Sequence, residues 1–138
     1  MTIFLDANLL VSVLNNEYPL FTYSSRIISL ADNRKFSVYT SPLCLAIAFY
    51  FAEKKSGTLL AKKKIELLAG KLAITNVGAN EVMQSIRNKR VQDFEDGLQY
   101  YSARQHDCQV IITEDIDDFY FSDIETMNSK DFLEKYVI

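Results

Sequence analysis

The sequence predicts an α/β domain in which a central parallel β-sheet of four to five strands is flanked by helices. Three observations carry this expectation. Short runs rich in β-branched and aromatic residues alternate with segments of helical apolar spacing, the pattern of right-handed βαβ units. Two of the strand candidates, around Ile3-Phe-Leu5 and Val110-Ile-Ile112, are apolar throughout, as strands covered on both faces are. Finally, 138 residues, 49% of them apolar, with only four Gly and two Pro, supply one buried core and exclude intrinsic disorder, so residues 1–138 read as a single domain.

The elements follow in order. Thr2-Ile-Phe-Leu5 is a first strand that stops at Asp6-Ala-Asn8. Apolar positions Phe21, Ile27, Ile28 and Leu30 make a helix of Pro19 to Ala31, and Lys35 to Tyr39 is a second strand. Ser41-Pro42 then gives an N-cap followed by proline at the first helical position. The helix it opens is apolar on every face from Leu43 to Ala52, which predicts burial on nearly all sides or a place in a subunit contact. Thr58 to Ala69 is a helix with Gly70 as its C′ residue and Lys62-Lys63-Lys64 on its wet face, and Leu72 to Val77 is a third strand. Asn80 is expected to cap a helix holding Val82, Met83 and Ile86. In the next helix, Asp93 to Gln105, the residues Phe94, Leu98 and Tyr101 are spaced to face a core. Gln109 to Thr113 is a fourth strand ending at Glu114-Asp115, Ile124 to Met127 a fifth, and Ser129 caps a closing helix through Tyr136.

Composition removes several classes of function. The longest apolar run falls far short of the roughly 20 residues of a membrane span, and the N-terminus lacks a basic lead-in and cleavage site, so a soluble cytoplasmic protein is expected. Cys44 and Cys108 read as reduced core residues, and with one histidine there is no ligand set for structural zinc. His106 is assigned no catalytic role. The net charge of −3 hides two opposed regions: residues 1–90 hold 12 basic against 6 acidic side chains, and residues 91–138 hold 3 against 12.

Those acids point to chemistry. Strands one and four each end beside an aspartate, Asp6 and Asp115, and the carboxyl edge of an open parallel sheet is where ligands bind. Asp96, in the first turn of the helix leading to strand four, and Asp118, three residues past Asp115, bring two more carboxylates to that edge. Converging carboxylates repel unless a cation sits among them, and an all-oxygen donor set favours Mg²⁺ or Mn²⁺ over zinc. Cations held this way polarise phosphate esters and activate water, which is the chemistry of phosphodiester hydrolysis. Each acid also has a plain reading. Asp6 suits a turn, Asp93 an N-cap, and Asp96 the N3 position of a helix dipole.

Three motifs together resemble the PIN domain family, the fold of the VapC-like toxin ribonucleases. They are the N-terminal Asp6-Ala-Asn8 after an apolar strand, Asp93-Phe-Glu-Asp96-Gly-Leu-Gln, and Thr113-Glu-Asp115-Ile-Asp-Asp118-Phe119 after the next strand. The resemblance implies a PIN-like fold and a Mg²⁺- or Mn²⁺-dependent, single-strand-preferring ribonuclease acting on RNA, often dimeric and neutralised by an antitoxin. It makes Asp6, Asp96, Asp115 and Asp118 the metal-binding and catalytic acids, supported by Asn8 and Thr113. Many members also place a glutamate on the helix after strand two, in a Ser-x-x-x-x-x-Glu pattern, and here that slot falls at Ile47. Glu53 and Glu81 are the acids that could replace it from elsewhere.

Arg87, Lys89 and Arg90, just ahead of the acidic helix, are the candidate RNA contacts. Two other readings stay open beside the endoribonuclease. One is a degenerate PIN domain that binds RNA or a protein without cutting. The other is an interaction module that dimerises through the Leu43 to Ala52 helix.

Overall fold

A computed structural model describes residues 1–137. Five parallel strands form one sheet in the order β3-β2-β1-β4-β5, where β1 is Thr2–Leu5, β2 Ser37–Thr40, β3 Ala73–Ile74, β4 Val110–Ile112 and β5 Glu125–Met127. Seven α-helices among the described residues surround it: α1 Ala7–Leu14, α2 Leu20–Ser29, α3 Pro42–Ser56, α4 Thr58–Lys71, α5 Ala79–Arg87, α6 Phe94–Gln105 and α7 Ser129–Tyr136. The expected parallel α/β architecture is therefore present. Its centre is β1, paired with β2 through Ile3↔Val38 and with β4 through Phe4↔Ile111. Ile3, Phe4, Leu5, Val110, Ile111 and Ile112 are all fully buried, as continuous apolar strands of a two-sided sheet must be. After β1 the chain builds outward to β2 and β3, then returns to place β4 on the other side of β1. The order thus reverses between β1 and β4, and their carboxyl ends open the crevice of a topological switch point.

Several elements differ from the sequence expectation. Residues Ala7–Leu14 form helix α1, where the sequence reading placed no element. Asp6 caps it, its Oδ1 accepting from the Ala7 N–H at 2.8 Å. The Leu72 to Val77 strand shrinks to Ala73–Ile74 at the sheet edge. Gly70 is not a C′ residue, because α4 runs on to Lys71 and passes straight into extended backbone at Leu72. Gly78, not Asn80, is the N-cap of α5, with its N–H held at 2.7 Å by the carboxylate of Glu81 at N3. Asn128, not Ser129, caps α7, accepting from the Asp131 N–H at 2.8 Å.

Helix α3 corrects the expectation of burial on nearly every side. It buries only the small stripe Cys44, Ala48 and Ala52, spaced by four, and leaves Tyr50 and Phe51 exposed. Small residues there let α3 lie close against α1 and α4, while its large side chains point away from that seam. Lys64 leaves the expected wet face of α4, donating to the Leu14 carbonyl at 2.8 Å at the exposed end of α1. In α6 the wide buried arc includes Leu98, Tyr100 and Ala103, whereas Phe94 lies 47% exposed in the first turn. Both cysteines are free and buried, as expected. No helix among the described residues is long and apolar enough to cross a membrane.

Candidate active site

A cleft of about 520 Å³ opens at the carboxyl ends of β1 and β4, and Asp6, Asp96, Asp115 and Asp118 all line it. Four separate local structures deliver them. Asp6 follows β1 directly, its N–H donating to the Ile112 carbonyl of β4 at 3.0 Å, so the two strand ends advance together. Asp96 sits in the first turn of α6, where its own N–H is capped by the Asp93 carboxylate at 3.1 Å. Asp115 precedes and Asp118 lies within a 3₁₀ turn, Ile116–Phe119, closed by the Asp118 N–H on the Asp115 carbonyl at 3.0 Å. Buried Phe119 and Phe121 root this turn in the core. Tyr120 ties it to the approach to α6 by donating its hydroxyl to the Arg90 carbonyl and accepting from the Gln92 N–H.

Asn8 and Thr113 knit the two strand ends together. The fully buried Thr113 hydroxyl donates to Asp6 Oδ2 at 2.8 Å and accepts from the Asn8 amide at 3.1 Å and from the Asp115 N–H at 3.0 Å. The same Asn8 amide reaches Asp115 Oδ2 at 3.2 Å, and Asn8 Oδ1 accepts from the Glu114 N–H at 3.3 Å. Glu114 itself turns out of the site, its carboxylate holding the Ser129 N–H at 2.9 Å.

The carboxylates raise one another's proton affinity. Burial is the main cause at Asp6, opposed by its hydrogen bonds from Thr113 and Ala7 and reinforced by Asp115. Asp96 is pushed up to about 7, by burial first and then by Asp93, Asp118, Asp6 and Glu95. Asp118 and Glu95 also move upward, each through desolvation followed by neighbouring acids. Cys44, whose Sγ lies 3.8 Å from Asp6 Oδ1, rises to about 12 through burial and the Asp6 charge, which leaves it an inert thiol. No lysine or arginine is among the described residues lining the cleft.

The lining also holds residues that sequence reasoning gave other roles or none. Asp93 faces the cleft while serving as the expected N-cap, and Glu95, expected simply to face water, is exposed but lines it too. Glu17, from the α1–α2 connection, was not anticipated, because without α1 nothing in the residue pattern returns that connection to the sheet edge. Ile47 lines the cleft, at the position where the resemblance expects glutamate. Glu53 and Glu81 do not replace it: Glu53 accepts from Thr58 at 2.7 Å at the α3–α4 corner, and buried Glu81 caps α5. His106 ends α6 and accepts from the Asn76 N–H at 3.2 Å. Arg87, Lys89 and Arg90 stand outside the cleft lining. Arg87 joins Gln84, Tyr101 and Arg104 along a separate groove, and Arg90 donates to the Tyr120 carbonyl at 3.3 Å.

The donors present suit a hard divalent cation. All are oxygens, their mutual repulsion is uncompensated by any basic side chain of the lining, and a cation would relieve it. Among the described residues no three of His, Cys, Asp and Glu are already close enough to hold a metal ion together. Mg²⁺, which retains several waters, would need only one or two of these carboxylates in direct contact.

The sequence profile of the PIN domain family matches residues 2–117. The chain belongs to the PIN domain family. This PIN domain is similar to ribonuclease VapC1 of Aquifex aeolicus (strain VF5), with 29% identity over 142 residues covering 97% of the chain and 94% of the relative. Its fold is similar to a VapBC2 structure from Rickettsia felis bound to a fragment of promoter DNA, with a TM-score of 0.69, 18% identity, and 93% and 98% of the two chains covered. It is also similar to Mycobacterium tuberculosis VapC20, a sarcin–ricin loop cleaving toxin, with a TM-score of 0.62, 18% identity, and 79% and 86% covered.

Proposed function

We propose that this PIN domain is a divalent-metal-dependent endoribonuclease that hydrolyses RNA phosphodiester bonds as the toxin of a toxin–antitoxin pair. The observation that carries the reading is the convergence of Asp6, Asp96, Asp115 and Asp118 in one cleft that no basic side chain neutralises. Likeness to ribonuclease VapC1 over nearly the whole chain, and the metal dependence general among such ribonucleases, support it.

In this reading Asp6, Asp96, Asp115 and Asp118 hold Mg²⁺ or Mn²⁺. The bound cation supplies positive charge that polarises the phosphodiester and activates water. Thr113 and Asn8 are positioning residues, since their hydrogen bonds fix Asp6 against Asp115 before substrate arrives. Asp96, pushed up to about 7 in the metal-free cleft, is the ligand that would give up a proton to take the cation near neutral pH. Arg87, Lys89 and Arg90 belong to the same proposal as contacts to RNA phosphates beyond the cleft, with Arg90 already anchored beside the turn that carries Asp118.

The protein partners follow from the same likeness. The structural neighbours are VapBC assemblies, and an antitoxin is the expected partner of this chain. A homodimer in the cytoplasm is the remaining part of the proposal, checked by light scattering of the chain alone.

Cleavage of an RNA pool decides the central claim. Product should form with Mn²⁺, vanish with EDTA, and be absent for Asp6→Ala in protein that melts normally. A wild-type chain that binds RNA and Mn²⁺ without cutting would instead establish a non-catalytic PIN domain, the reading that Ile47 in the acidic slot favours.

A further inference from the structure

We propose that Phe51, beside Ile47 and Leu20, forms a subsite for an unpaired nucleobase next to the carboxylates of the cleft. The inference rests on reading the cleft as a nucleic-acid site and adds to it a position for the base. The lining divides by element. Its aspartates come from the end of β1, the start of α6 and the turn after β4, whereas Val11, Leu20, Ile47 and Phe51 come from helices α1, α2 and α3. A nucleotide has the same two parts, an anionic phosphodiester that needs a cation and a flat base with apolar faces.

Phe51 is the aromatic member of this wall. Val11 and Ile47 pack partly against the core, while Phe51 is outside the core cluster and 44% exposed. Four residues after Ile47, it continues the same face of α3. Its carbonyl accepts from the Asn15 amide at 3.4 Å, which ties this turn of α3 to the end of α1, and its ring meets Tyr50 edge-on, with centroids 5.3 Å apart. The Tyr50 ring is itself occupied by the Lys54 ammonium, 4.7 Å from its centroid. An uncovered aromatic on a helix, beside a cleft that would take a phosphodiester, is how single strands are held without sequence readout, because every base offers a π-face. Bases inside a duplex are already stacked, so this subsite takes an unpaired one.

The test measures binding of three labelled probes by fluorescence anisotropy in Mg²⁺. They are a ten-nucleotide 2′-O-methyl strand, the same strand with abasic sites, and the same strand annealed to its complement. The wild type should bind the base-bearing single strand about tenfold tighter than the abasic one, the worth of a single stacked base. Phe51→Ala should lose that preference while keeping its melting temperature, and Phe51→Tyr should retain it. The chain has no tryptophan, so emission from Phe51→Trp reports on this position alone and should be quenched by the base-bearing strand. Equal binding of base-bearing and abasic strands by the wild type, or an unchanged preference in Phe51→Ala, would overturn the subsite and leave the wall to a protein partner. These outcomes separate from failure of the ribonuclease reading. Base preference without cleavage sinks only catalysis, and cleavage with the same KM in Phe51→Ala sinks only the subsite.

Discussion

The Thr113 hydroxyl donates to Asp6 Oδ2 at 2.8 Å across 107 residues of sequence. This bond joins the residues that end the two central strands, and it lowers the proton affinity that burial raises at Asp6. Thr113→Val keeps the shape and removes both functions of the hydroxyl, leaving the Asp115 N–H without its acceptor. Stability should fall by about 1–3 kcal/mol, the cost of unpaired buried polar groups. Mn²⁺ affinity should fall with it, because Asp6 becomes harder to ionise. Thr113→Ser should restore both. Denaturant titration and calorimetric Mn²⁺ titration of the three proteins check this, and an unaltered Mn²⁺ affinity in Thr113→Val would remove the positioning role.

The raised acids make stability depend on pH in a defined direction. Asp96 has an ordinary value of 3.8 and stands near 7 in the folded chain, so between these values the native state binds more protons than the unfolded one. Stability from this group is therefore full below about pH 4 and is lost as pH rises through 7; Asp6 shifts the same way. Metal-free protein should melt at a lower temperature at pH 7.5 than at pH 5.5. Added Mn²⁺ should raise the melting temperature more at pH 7.5, since the cation competes with a proton for Asp96. Asp96→Asn should flatten the metal-free dependence and remove most of the Mn²⁺ shift, measurable by thermal melts across that range.

The fold class and the convergence of four aspartates at one sheet edge were both legible in the sequence, for physical reasons. Asp6, Asp115 and Asp118 sit at strand ends and turns, where the chain itself announces a boundary, and Asp96 follows its own N-cap in a first turn. Helix α1 was hidden because Leu9-Leu-Val-Ser-Val-Leu14 is nearly continuous apolar sequence with two β-branched valines, which has no period to separate helix from strand. Missing α1 also concealed Glu17. The all-apolar look of α3 misled in the other direction: its composition records both a seam of small residues against α1 and α4 and an uncovered aromatic edge at the cleft. Arg87 was placed correctly before the acidic helix, but which face of α5 it occupies depends on how α5 packs on α6, and sequence spacing does not report that.

Gly97 stands in α6 where only hydrogen fits. A Cβ there would meet Val91 Cγ1 at 2.8 Å and Ser85 Oγ at 2.9 Å, and Ser85 is held by its bond to the Glu81 carbonyl at 2.8 Å. Alanine improves helix propensity by about 1 kcal/mol, yet overpacking a buried contact costs about 1–3 kcal/mol. Gly97→Ala should therefore be neutral to destabilising. It should also weaken Mn²⁺ binding, because α5 must move away from the helix whose first turn carries Asp96. A stabilised variant by chemical denaturation would show that Val91 and Ser85 yield freely.

Ile47→Glu tests the composition of the site itself. Ile47 lines the cleft but also packs partly against the core, so a carboxylate there has two competing effects. Without metal it adds a like charge near Asp96, which burial and then neighbouring acids already push up to about 7, and the protein should melt at a lower temperature. With Mn²⁺ the added oxygen donor offsets that repulsion, so the cation should bind about tenfold tighter and the melting temperature should recover beyond that of the wild type under the same conditions. RNA cleavage should rise in step, since a better-held cation polarises more of the bound phosphodiester population. Ile47→Gln separates charge from shape: it should lose the same core contact without gaining Mn²⁺ affinity. Calorimetric titration and melting curves on the pair give the answer together. A glutamate variant as destabilised as the glutamine one, with Mn²⁺ affinity unchanged, would mean that position 47 belongs to the core wall and not to the acidic set.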